Sequence, residues 1–215
     1  MLFRSFTLSG NVRLVTEGSG WFAMTKAGQT FTGGVVVAEG TAYSPYGSKY
    51  HEDGNFWGPT GGSVTILTNA TFDARGNTNF YYKNFVLNGG VLADSSGMNT
   101  SCYGFGNVTL VADSILTKSH ASSTMFAAPE GEGTVDLGEK TLTVSMIGNS
   151  HIYFHVPVVN GTMVFDSSDV LTSGGGYLNV AEGMSGGSPT VNIEMVKSAM
   201  RISGEIGRAS CRERV

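Results

Sequence analysis

The chain is poor in the residues that staple, break or charge a fold. Its 215 residues include two cysteines and five prolines, and only 14% are charged, against about 25% in an average soluble domain. Two cysteines make neither a disulfide framework nor a four-cysteine metal site. No run of 18 apolar residues is present, so no membrane-spanning helix is expected. Apolar positions never sustain the i, i+3, i+4, i+7 stripe of an amphipathic helix, which excludes a helical bundle. The formal net charge of −4 gives no basic surplus for a nucleic acid partner. What is abundant is glycine, at 31 residues, without the three-residue period of collagen. Hydrophobic residues make up 40%, including 12 Phe, 8 Tyr and 2 Trp. That is apolar surface enough for a core, and it argues against disorder.

The two ends differ from the rest. Ile206–Val215 carries a cluster of charge in a charge-poor chain and resembles a translated short-read sequencing adapter. Residues 1–5, Met-Leu-Phe-Arg-Ser, resemble the opposite adapter end. Both segments are expected to be foreign to the fold, leaving 6–205 as the native part. Setting aside Arg4, Arg208, Arg212, Arg214 and Glu213 reduces 13 basic residues to 9 and 17 acidic residues to 16, a net charge of −7. Only Cys102 then remains, so a Cys102–Cys211 disulfide would have no meaning.

Within 6–205 a short unit recurs: a turn glycine, a variable residue, then apolar residues alternating with polar ones. It stands at Gly10-Asn-Val-Arg-Leu, Gly62-Ser-Val-Thr-Ile, Gly106-Asn-Val-Thr-Leu, Gly133-Thr-Val-Asp-Leu, Gly161-Thr-Met-Val-Phe and Gly176-Tyr-Leu-Asn-Val, with looser copies at Gly34 and Gly90. Most intervals lie near 28 residues, and two lie near half that. Period-two alternation over four to six residues marks half-buried strands. Glycine and asparagine between them mark corners, because both tolerate positive φ. Strands this short cannot bury a face alone, but stacked coils make one continuous core. The spacing therefore predicts an all-β fold, a right-handed parallel β-solenoid of seven to eight rungs, with Val12, Val64, Val108, Val135 and Met163 pointing inward. The alternative is a β-sandwich, which would show more hairpin turns. Two stretches break the rhythm, at about 42–60 and 119–132, and read as loops leaving the coil.

The run Val135-Asp-Leu-Gly-Glu-Lys-Thr-Leu-Thr-Val144, followed by Val159-Asn-Gly-Thr-Met-Val-Phe165, resembles the β-helical passenger regions of bacterial autotransporter-type, adhesin-like surface proteins. The matching stretch covers about 30 residues, and its style extends over most of 6–205. The resemblance implies a rigid elongated stalk, secretion and an extracellular or cell-surface location. No translocator barrel is present in the sequence.

Catalytic patterns are thin. Gly183-Met-Ser-Gly-Gly187 matches the nucleophile-elbow pattern around Ser185, but no His lies beyond residue 155 to complete a triad in order. His151 and His155 would lie on one strand face with Cα atoms roughly 13 Å apart, too far for a single metal. Asp166 and Asp169 read as turn-capping residues rather than a catalytic pair. The sequence thus leans away from an enzyme, with no catalytic residue, cofactor or metal expected. Its strongest local anomaly is the insertion at 42–60, where Tyr43, Tyr46, Tyr50, Phe56 and Trp57 fall within fifteen residues. Such rings either fold over the coil or stack on sugar rings and partner surfaces. They are the candidate ligand-binding residues. The expected partner is a surface carbohydrate or another host or cell-surface ligand, with end-to-end self-association of the solenoid. The expected role is a structural, adhesin-like scaffold presenting loops. The alternative is a fragment of a solenoid polysaccharide lyase or hydrolase, or a carbohydrate-binding module.

Overall fold

The computed structural model describes residues 2–3, 7–24, 28–43, 57–58, 61–74, 83–95, 102–103, 107–118, 123–126, 133–146, 151–154, 156–166, 177–180, 191–196, 199–202 and 209–213. Among these residues there is no helix, and every strand pairing is parallel. The chain is a β-solenoid: successive coils add strands to two long parallel ladders, a third parallel sheet stacks beside them from Cys102 onward, and strands pair with their equivalents in neighbouring coils.

The first ladder stacks Leu14–Thr16, Val35–Val37, Ser63–Leu67, Asn84–Asn88 and Asn107–Ala112, then the start of Thr134–Met146 and of Val158–Asp166. Its register joins Val15, Val36, Thr65, Val86, Thr109, Asp136 and Val159, so one coil takes 21 to 29 residues. The flanking inward column reads Leu14, Val35, Val64, Phe85, Val108, Val135 and Val158, and all but the partly buried Leu14 are buried. Period-two alternation puts every second residue of a strand on this inner face, and parallel register aligns those residues from coil to coil.

The second ladder runs through Leu2–Phe3, Trp21–Met24, Gly40–Tyr43, Ala70–Asp73, Val91–Asp94 and Ser114–Lys118. It continues through the second half of Thr134–Met146, then Val158–Asp166, Val191–Val196 and Ala209–Glu213. A third face is formed by Cys102–Tyr103, Ser123–Phe126, His151–Phe154, Tyr177–Val180 and Ala199–Ile202, with Ser9–Gly10 and Thr30–Phe31 paired separately. Among the described residues the first ladder has seven levels and the second ten. The count differs slightly from seven to eight rungs because the second ladder runs on into 2–3 and 209–213, whose backbones pair as strands.

The corner between the first two faces is made by residues with left-handed backbone: Asn69, Gly89, Gly138, Glu139 and Asn160. Gly40 shows the packing constraint at such a corner. Its φ is 71°, and a Cβ there would be driven into the carbonyl oxygens of Gly18 and Gly20 on the coil below. Only glycine meets both conditions.

Two expectations need correction. Val12 does not point inward; it is 42% exposed. Its amide donates to the Gly10 carbonyl at 2.9 Å, so it sits in a tight turn before the Leu14–Thr16 strand, where alternation does not apply. The stretch at 119–132 is not wholly a loop, since Ser123–Phe126 is a strand of the third face, paired with Cys102–Tyr103 and His151–Phe154. Val64, Val108, Val135 and Met163 are buried as expected.

Candidate functional site

Of the aromatic stretch beyond Tyr43, Trp57 and Gly58 are among the described residues. The Trp57 side chain is in the core, with the residue 3% exposed. Its ring meets Phe22 at 6.0 Å and Phe72 at 5.1 Å, both edge-to-face, and Phe72 continues the chain of rings to Phe85 at 5.3 Å. Gly58 is buried with φ 86°, against the Phe31 backbone and ring. Its carbonyl accepts a hydrogen bond from the Lys83 ammonium. Burial lowers the Lys83 pKa from 10.5 to about 8. One aromatic ring and one cation therefore pin the end of the insertion to the coil. Tyr46, Tyr50 and Phe56 lie outside the described residues.

Tyr43 ends the Gly40–Tyr43 strand and is half-buried. It stands edge-to-face with Trp21, with centroids 5.7 Å apart and planes at 72°. Trp21 is 60% exposed, the most exposed of the large hydrophobic side chains described. It was not among the candidates from the sequence. In Gly20-Trp-Phe-Ala-Met24 both parities of the strand are apolar, so alternation does not say which ring faces out. Register decides it. Phe22 pairs with Ala42 and, one level on, Ala42 with Phe72, which places Phe22 in the inner column and Trp21 in the outer one.

From Trp21 an outer row runs along the solenoid: Thr41, Thr71, Val91, Ile115, Thr143 and Val164. Parallel strands lie about 4.8 Å apart, so the row is a regular strip of β-branched side chains. The neighbouring outer row contains Tyr43 and Asp73, in register with Ala93. Asp73 is buried, and its carboxylate accepts from the Ser95 amide at 3.1 Å and the Ser95 hydroxyl at 2.5 Å. An exposed indole, a half-buried phenol and a flat hydroxyl-bearing strip form a surface suited to an amphipathic partner.

Asp166 ends the Val158–Asp166 strand half-buried, while Asp169, His155 and Ser185 lie outside the described residues. His151 opens the His151–Phe154 strand, whose Ile152 and Phe154 are buried. Among the described residues no group of three His, Cys, Asp or Glu side chains is placed to hold a metal ion. No helix among them is long and apolar enough to cross a membrane.

No family model, no curated protein and no solved structure matches this chain.

Proposed function

We propose that the chain is a rigid β-solenoid segment of a secreted or surface-displayed, adhesin-like bacterial protein, and that its exposed aromatic patch contacts surface carbohydrate. The observation that carries this reading is Trp21, 60% exposed on a flat in-register face beside Tyr43. A core indole would be hidden, and a solvent-facing strand position has no packing need for one. Stacked on a pyranose ring, the indole offers an apolar face while Tyr43, Thr41 and Thr71 offer hydroxyl groups. Tyr46, Tyr50 and Phe56 of the insertion belong to the same proposed contact set. Trp57 does not, because its ring fills the core. The location at the cell surface belongs to the same proposal and is supported by the solenoid fold and the resemblance at 135–165. Terminal strands of an open ladder expose backbone groups that a second copy can pair with, which supports end-to-end association.

The test uses the Trp57→Phe variant, in which Trp21 is the one remaining tryptophan. Titration with soluble polysaccharides of different linkage and charge should shift its emission, and adding Trp21→Ala should abolish retention on the polysaccharide that binds. Equal retention of the parent and the Trp21→Ala variant, with both folded, would reject the patch as the binding surface.

A further inference from the structure

Among the described residues, the interior of the solenoid holds a charge pair in direct contact, Asp94 and Lys118. Asp94 and Lys118 are direct register partners in the second ladder, one coil apart. Both alternate with buried leucines, Leu92 and Leu116, and so face the core. Lys118 Nζ lies 2.5 Å from Asp94 Oδ2, and the two side chains are 0% and 1% exposed. The residue at the same position one level below is Ala74, also fully buried.

We propose that Lys118 and Asp94 condense into an intramolecular amide between Nζ and Cγ, a covalent strut linking adjacent coils. The step balances without any further reactant. A proton passes from the Lys118 ammonium to the Asp94 carboxylate along their hydrogen bond. The freed Nζ lone pair attacks Cγ. The carboxyl hydroxyl then leaves with a second proton from nitrogen, and one molecule of water is released. In bulk water this condensation is opposed by solvation of both ions and by the abundance of water. Inside the coil both terms reverse: the ions are stripped of solvent, at a cost that a neutral amide does not carry. Holding amine and carboxyl in contact also turns a bimolecular encounter into a unimolecular one, with effective molarities of about 10⁵ M or more in well-oriented cases.

The covalent link is read by intact mass spectrometry of the folded full chain, followed by tandem sequencing of proteolytic peptides. The expected mass is one water below the sequence mass, with a branched peptide joining the segment containing Asp94 to the segment containing Lys118. Lys118→Arg, which keeps the charge but lacks the amine nucleophile, should restore the full sequence mass. A folded parent chain at full sequence mass overturns the proposal. So does a lost water that maps to any other position, or one that persists in Lys118→Arg.

Discussion

Lys83 donates from its ammonium to the Gly58 carbonyl, so a buried cation one coil away holds the end of the aromatic insertion in place. Burial lowers the Lys83 pKa from 10.5 to about 8, and this makes stability depend on pH. The unfolded chain keeps the Lys83 proton up to about 10.5 and the folded chain only up to about 8, so between these values the unfolded state binds more protons and stability rises with pH. Below about 8 both states are protonated and the full cost is present, on the order of 3 kcal/mol. Urea unfolding at a series of pH values should show a midpoint that climbs from about pH 8 to pH 10.5, and Lys83→Met should flatten that climb. A parent curve with no rise in this window would show that Lys83 is not desolvated.

The two tryptophans should answer substitution in opposite ways. Trp57→Ala removes a ring packed on Phe22 and Phe72, which should cost about 3–5 kcal/mol. Trp21→Ala removes a ring that is 60% exposed, and its cost should stay within about 1 kcal/mol. Thermal or denaturant melts of the two variants against the parent check the order; a reversed order would mean that the inner and outer columns are exchanged.

Thr16 occupies an inward column otherwise made of Val37, Ile66, Leu87 and Leu110. Its hydroxyl is buried and has no hydrogen-bond partner. Thr16→Val keeps the shape and removes an unsatisfied polar atom, so it should stabilise the fold by about 1 kcal/mol. A denaturation midpoint at or below that of the parent would contradict this.

End-to-end pairing of solenoid segments should be visible in sedimentation velocity. The weight-average mass should rise with concentration, and a proline at Ser210, in the terminal strand paired with Val191–Val196, should suppress the rise by removing a ladder donor. A constant monomer mass over the whole range would dismiss self-association.

Much of this architecture is written in local pattern. In Val108-Thr-Leu and Val135-Asp-Leu the alternation is clean, and the buried and outward residues fall where period two puts them. Asn69, Gly89, Gly138 and Asn160 mark the corners because left-handed backbone is a property of the residue itself. Parallel stacking follows from the repeat, since one short strand cannot hide its own inner face. Three things escape the repeat pattern, the last two because they depend on contacts between coils. Val12 matches the repeat unit, but a turn to Gly10 takes it out of the strand. Trp21 and Trp57 are both tryptophans beside glycine; the register with Ala42 and Phe72 turns one outward, and edge-to-face packing on Phe22 and Phe72 holds the other in the core. Asp94 and Lys118 are distant in sequence and meet only because one coil ends directly above another. Amino-acid type and period set strand, corner and stacking, because those are decided by backbone conformation and by alternation within a few residues. The aromatic patch and the buried pair are set by which coil lies on which, a relation between segments that are distant in sequence.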